Sequence, residues 1–207
     1  MALILNGSNN TIGGLAAGGL PDGCIVDADI NGMAASKLSG SLPAISGASL
    51  TNLPAGGKFA SYAIIADQKS QNTQGGSFTS GAWRTRDLNT EIADVDGIVS
   101  ISSNQFTLGA GSYLIRGSAS VYRTNGHQTR LYNNTNSSIV AVGTDEMSHA
   151  SYYTMTRSFV SGRVTITGNT VFELQHRCAN TINTYGYGQR NNFGTEQYAL
   201  VEIFKES

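Results

Sequence analysis

From residue 58 onward, apolar side chains recur at every second position, and the breaks between runs carry turn residues rather than helix caps, the mark of short half-buried strands. In the run 170–178, Phe172, Leu174, His176 and Cys178 fall on one face while Glu173, Gln175 and Arg177 fall on the other. Asn125-Gly126 separates the run ending at Arg123 from Thr129-Arg130-Leu131-Tyr132 and suits the positive backbone angles of a tight hairpin. Asp96-Gly97 ahead of Ile98 and Gly168-Asn169 ahead of Val171 repeat that signal. No window of about a dozen residues keeps an apolar pattern at helical spacing. The pattern predicts an all-β sandwich over 58–207.

The first and last strands of this region break the alternation. Phe59 to Ala66 and Tyr198 to Phe204 place apolar side chains on both faces, including Phe59, Tyr62, Ile64, Tyr198, Leu200 and Phe204. A sandwich strand buries one face in its own core, so a second apolar face needs another cover. At about 25 cal/mol per Å2, several such side chains left wet would forfeit several kcal/mol, enough to favour association. These six residues are the expected oligomer interface; a loop of the same chain covering that face is the alternative.

Composition divides the chain at Gly56-Gly57. Residues 1–57 hold all three prolines and no aromatic side chain or arginine, whereas every Phe, Tyr, Trp and Arg lies from Lys58 onward. Leu38-Ser39-Gly40-Ser41-Leu42-Pro43 is loosely echoed by Ser46-Gly47-Ala48-Ser49-Leu50, giving a Gly/Ala/Ser/Leu-rich stretch without the strict glycine register of collagen. One copy buries too little to offset its ordering entropy, so 1–57 reads as an extended stalk, ordered only if copies pack together, or as a loose linker. The formal net charge of −1 with 13% charged residues offers no basic stripe for a phosphate backbone, so nucleic acid is not an expected partner. The longest early apolar run, Ala2 to Leu5, is far too short for a signal core or a membrane span, and no membrane insertion is expected.

The succession Phe106 to Gly117, then Arg130 to Asn134, then Ser158 to Ile166 with its Gly-Asn turn, then Ala199 to Phe204, resembles the globular head of the first complement component and tumour necrosis factor, over roughly 58–206. That resemblance implies a jelly roll assembled as a homotrimer, with the first and last strands side by side near the three-fold axis. The phrases Ala17-Gly18-Gly19-Leu20-Pro21-Asp22-Gly23 and Gly40-Ser41-Leu42-Pro43-Ala44-Ile45-Ser46-Gly47 resemble the N-terminal regions of tailed-bacteriophage fibre proteins. It implies a virion tail protein made in the host cytoplasm, with residues 1–57 on a baseplate or tail partner and 58–207 as a head turned to a host surface glycan or protein.

Catalytic chemistry finds little support. The three histidines, His127, His149 and His176, form no two-histidine metal motif, and no cofactor motif is present. His176 beside Cys178 on one strand face invites a nucleophile and base, but a core histidine is the better reading. Glu146 to His149 reads as a solvated loop, and Asp94-Val95-Asp96-Gly97 as a turn rather than a calcium loop. Binding chemistry is better represented: Thr184 to Gly194 packs Tyr185, Tyr187, Arg190, Asn191 and Asn192 into a Gly-punctuated loop, the residue mixture of recognition surfaces. With Asn125 and His127, and with the Gly168 turn at the same end, these form the expected tip. The expected function is non-catalytic adhesion to a bacterial surface; the alternatives are a structural decoration or adaptor of the virion and a glycan-cleaving enzyme.

Overall fold

The computed structural model describes residues 59–206, together with the backbone of two short N-terminal strands, β1 (Ile4–Asn6) and β2 (Thr11–Gly13), which pair antiparallel. The expected stalk otherwise lies outside the described residues. The chain divides into two compact units, Met1–Asn52 and Leu53–Ser207.

In the second unit every element is a strand. They are β3 (Phe59–Lys69), β4 (Arg84–Thr85), β5 (Thr90–Ala93), β6 (Val99–Ser102), β7 (Gln105–Leu108), β8 (Gly111–Tyr122), β9 (Asn125–Asn133), β10 (Ser138–Ser148), β11 (Met155–Ile166), β12 (Thr170–Cys178) and β13 (Glu196–Glu206). One antiparallel sheet has the order β11-β8-β13-β3-β5, and the other β10-β9-β12-β7-β6 with β4 also on β12. Strands distant in sequence become neighbours: β3 lies on β13, β8 on β11 and β9 on β12. This is a jelly roll, the all-β architecture expected from the alternation.

The core forms between the sheets. Ile65, Tyr113, Ile115, Val201 and Ile203 face Phe106, Leu108, Leu131, Phe172 and Leu174, all essentially inaccessible to solvent. Phe106 and Phe172 stack at 5.6 Å between centroids. Gly117 permits close approach of the sheets, since a Cβ there would sit 2.9 Å from a Leu174 methyl. The strand β12 turns Phe172, Leu174, His176 and Cys178 inward as its sequence predicts, but the strand is not half-buried. On its other face Glu173 and Gln175 are only 6% and 8% exposed, packed by hydrogen bonds with Thr85, Gln105 and Arg130, and Arg177 alone of the three is open to solvent.

Three expectations need correction. The Asn125-Gly126, Asp96-Gly97 and Gly168-Asn169 dipeptides do not close hairpins within a sheet, because each lies where the chain crosses from one sheet to the other. Among the described residues of this unit, the hairpins are β6–β7, turned by Ser103 and Asn104 at φ 52° and 65°, and β9–β10. Second, of the loop expected over Glu146–His149, only His149 lies outside a strand and is exposed, whereas Glu146–Ser148 is the end of β10, whose register shifts twice, between Ile139 and Ala141 and between Val142 and Asp145. Those irregularities erase the period-two signal. Third, Tyr198 does not join the outward face of β13. A bulge between Gln197 and Ala199 turns its ring inward, leaving it 2% exposed, with its hydroxyl donating to Thr73 O at 2.6 Å.

The other residues expected at an interface do share one surface. Tyr62, Ile64, Leu200 and Phe204 occupy the outward faces of the adjacent strands β3 and β13, and Phe59 packs on Phe204 at 5.2 Å. Phe59 and Tyr62 remain 41% and 48% exposed.

A buried cation ties the sheets together. Arg86 follows β4 on the β12 side and is wholly enclosed. Its Nη1 donates to Ser120 O of β8 at 3.0 Å, its Nη2 reaches Tyr187 O and Tyr198 O at 3.3 Å, and its guanidinium lies 3.9 Å from the centre of the Tyr187 ring. Burial lowers its pKa to about 10, so it stays protonated at neutral pH. Asp67, also fully buried, forms an ion pair with Lys69 at 3.0 Å, which Asp87 shares on its other side at 3.0 Å. Arg86→Leu removes the donors from these carbonyls and one countercharge from Asp67. It should lower stability by about 3 kcal/mol or more in urea unfolding; a loss under about 1 kcal/mol would show that the cation is dispensable.

Candidate functional site

Strand direction fixes which loops meet. β3 and β12 end, and β9 and β13 begin, at the end of the sandwich that carries the 70–83, 123–124, 149–154 and 179–195 segments. The Gly168 turn lies at the opposite end, beside the start of β8 and the close of β13, so it does not belong to the tip. The misplacement has a simple cause: turn dipeptides reveal a reversal but not its polarity relative to the chain ends.

Of the expected tip residues, Arg190, Asn191 and Asn192 are exposed. The Glu196 carboxylate fixes their loop by accepting from the Asn191 and Asn192 amides at 3.1 and 2.8 Å, and Gln74 Oε1 accepts from the Arg190 amide at 3.0 Å. Asn192 holds a left-handed backbone, φ 64°, which asparagine tolerates well. Tyr185 is half-buried, edge-on to Tyr122 at 5.3 Å between centroids. Tyr187 turns inward between Arg86 and Phe78, with ring centres 4.6 Å apart in the latter pair, so its role is to anchor the loop. Gly188, at φ 150°, runs against Tyr198; a Cβ there would lie 2.2 Å from the Tyr198 ring. Asn125 likewise supports the tip rather than facing outward, accepting from the Ala150 amide at 2.9 Å.

His127 is buried at 5% exposure and belongs to an internal chain of polar groups rather than to an open tip. Its Nδ1 lies 3.0 Å from His176 Nε2, and its Nε2 lies 2.7 Å from Thr156 Oγ1. Burial and the nearby Arg86 cation lower His127 to about 4 and hold His176 well below its ordinary range. With His176 Nε2 committed to His127, and the Cys178 thiol pushed up to about 11 by burial and donating to Asn180 O, these residues do not form a nucleophile and base. Asp94 is a turn residue, its carboxylate accepting from the Ile98 and Val99 amides at 2.8 and 3.0 Å.

Several strongly presented tip residues carry no periodic signal in the sequence. Phe193, Tyr153 and Tyr152 are 95%, 87% and 66% exposed. Tyr153 has the Arg123 guanidinium 5.4 Å from its ring centre, and Tyr152 packs on His149 at 4.6 Å. Tyr122, Tyr153, Met155, Gln189 and Asn191 line a shallow cavity of about 340 Å3. Large aromatics displayed together with amides and arginines can bury area while satisfying polar ligand groups. The only available hint was the dipeptide Tyr152-Tyr153 and a lone Phe193 between asparagine and glycine.

No family model and no curated protein matches the chain. Among solved structures, Eiger TNF from S. frugiperda is 8% identical, covering 70% of this chain and 92% of its own, with a TM-score of 0.48. The globular domain of the zebrafish complement 1qA protein is 14% identical, covering 70% and 96%, at 0.45. Murine APRIL is 9% identical, covering 70% and 98%, at 0.45. The fold class, a two-sheet jelly roll, rests on the strand order itself.

The histidine pair makes stability pH-dependent. Both groups fold in the neutral form with pKa values below the ordinary 6.5. As pH falls from about 6.5 toward 4, the unfolded chain binds protons that the folded chain does not, so the slope of unfolding free energy against pH is positive and stability drops. The loss should be about 2–4 kcal/mol across that window, with no contribution above it. Urea midpoints through this range should fall in the native chain and fall less in His127→Gln.

Proposed function

We propose that the protein is a homotrimeric, non-catalytic adhesion protein of a tailed-bacteriophage fibre, with residues 1–57 joined to a baseplate or tail protein and the jelly roll turned to a bacterial surface. The observation that carries this reading is the group of exposed aromatics, Tyr152, Tyr153 and Phe193, presented together at one end of the sandwich, the end opposite Phe59. The trimer is supported by the apolar surface of Phe59, Tyr62, Ile64, Leu200 and Phe204 on adjacent strands, continuous across β3 and β13. The phage assignment is supported by the Leu-Pro phrases of residues 17–47. Three weak sites on one rigid particle bind a repetitive surface far more strongly than one, which suits adsorption without chemistry.

Light scattering of the full chain should return three times the 21.8 kDa protomer mass. The double variant Tyr62→Glu, Leu200→Glu should return one protomer mass with an unchanged β-sheet circular dichroism spectrum; a wild-type monomer would refute the assembly. Labelled wild-type protein should adhere to cells of a susceptible bacterium, and the monomeric variant should adhere on the order of 100-fold more weakly through lost avidity. Tyr153→Ser with Phe193→Ser should weaken adhesion without changing mass, whereas full adhesion by this variant would remove the tip from the binding surface.

A further inference from the structure

A second cavity, larger than the one between Tyr153 and Gln189, lies at the same end of the sandwich as the tip loops but on its flank, away from the apolar surface. It is a groove of about 680 Å3 along the sheet that holds β9, β10 and β12, on the opposite side of the sandwich from the outward faces of β3 and β13. Trp83, Gln128, Asp145, Glu146, Met147 and Arg177 line it, with the buried His127 at its border.

The groove combines one fixed aromatic platform with polar groups of both kinds. Trp83 is the only tryptophan of the chain. The Arg130 guanidinium sits 4.3 Å from the Trp83 ring centre and 4.8 Å from that of Tyr132, while Arg130 Nε donates to Gln175 Oε1 at 2.7 Å. Gln175 in turn donates to Glu173, which also accepts from Gln105 at 2.6 Å and Thr85 at 2.9 Å. The indole is thus backed by a connected polar network and is set in place before any ligand arrives, which reduces the ordering cost of binding. Gln128 is oriented as well: its Nε2 donates to Gly143 O at 3.1 Å and Asp145 Oδ1 at 2.8 Å, which leaves Oε1 as an acceptor. Asp145 and Glu146 add acceptors from β10, and Arg177 adds donors from β12, its guanidinium bonded to no described side chain or carbonyl.

We infer that this groove binds a neutral saccharide about two hexose rings long. A pyranose has an apolar C–H face that packs on an aromatic ring and a rim of hydroxyls that both donate and accept. The groove offers the complement of each, at a volume within the range of small-molecule sites. Two carboxylates against the Arg177 cation leave no excess positive field to select an anionic sugar. The inference deepens the adhesion reading and rests on it for its biological role, and it moves the sugar contact from the tip to the flank of the head.

Because Trp83 is the sole indole, its emission reads the groove directly. Full-length protein, excited beyond the tyrosine band, is titrated with maltose, lactose, cellobiose and N,N′-diacetylchitobiose to about 100 mM, well above a millimolar Kd. At least one should give a saturable change in Trp83 emission. Arg177→Ala and Glu146→Gln should each weaken it by about tenfold or more, a change that needs only about 1.4 kcal/mol. Arg177 is exposed and Glu146 half-buried at the groove wall, so circular dichroism should confirm an unchanged fold, and the tip variant Phe193→Ser should bind as wild type. No response to any of the four sugars, or a response equal in Arg177→Ala, overturns the groove assignment. The adhesion assay separates the two readings. Wild-type adhesion retained in Arg177→Ala sinks the groove as the adhesive site while adhesion stands, whereas sugar binding by a protein that adheres to no cell sinks adhesion while the groove stands.

Discussion

The head depends on a guanidinium held where no water reaches it. Arg86 is carried by a segment that continues the ladder on β12, its own amide donating to Leu174 O at 2.8 Å, yet its side chain ends among carbonyls of β8, β13 and the 179–195 segment. A hydrophobic contact holds two sheets together without fixing how they are placed, whereas a planar fork of donors satisfies three acceptors in only a narrow range of positions. Desolvating the charge costs several kcal/mol, and the carbonyls, the Tyr187 ring and the Asp67 carboxylate together offset it. The loop that bears Arg190, Asn191 and Asn192 is therefore built outward from the core. Tyr187 is clamped on Arg86, Gly188 runs against Tyr198, and Glu196 collects the amides beyond.

The same region shows why part of the molecule was legible in the sequence and part was not. The inward face of strand β12 was readable residue by residue, because burial of one face is a local rule with period two, whereas the packing of Glu173 and Gln175 on its other face depends on distant partners such as Thr85 and Arg130. β13 was readable from Leu200 onward and failed at Tyr198, where one inserted residue exchanges the faces. The inward turn of Tyr187 depends on Arg86, a hundred residues earlier in a segment with little pattern of its own, and no local rule links them. Likewise, Asn125 and Gly168 were correctly read as reversals, but a jelly roll changes sheet at most of its connections. A dipeptide that marks a turn does not say which sheet or which end receives the next strand.

The two outward faces of the sandwich differ in kind. On β3 and β13, Tyr62, Ile64, Leu200 and Phe204 present an apolar surface interrupted by Glu202, which is paired across the ladder with Arg116. On β9 and β12 the outward positions are Gln128, Arg130, Tyr132, Glu173, Gln175 and Arg177, of which Arg130, Tyr132, Gln175 and Glu173 are connected by hydrogen bonds and a cation–π contact. Glu173 is only 6% exposed, so this polar surface is itself packed. Ordering so many rotamer-rich side chains costs conformational entropy, and solubility alone would be served by mobile lysines. The connected network is better accounted for as a rigid surface around Trp83.

The arrangement also bears on how strongly any one site must bind. Under the proposed trimer, the flanking grooves and the aromatic tips would each occur three times on a rigid body, with spacing set by the protein rather than by a flexible tether. A repetitive glycan layer presents many equivalent partners, so a second contact becomes an intramolecular event once the first has formed, and millimolar single-site affinity is enough for lasting attachment. A shallow groove with one aromatic platform is suited to that regime. Deep enclosure would raise single-site affinity but slow the release and re-engagement by which a particle samples a surface. Openness of the groove is thus a property that a multivalent adhesin can use, and it needs a rigid frame behind it, which the buried Arg86 cluster and the Trp83–Arg130–Gln175–Glu173 chain both supply.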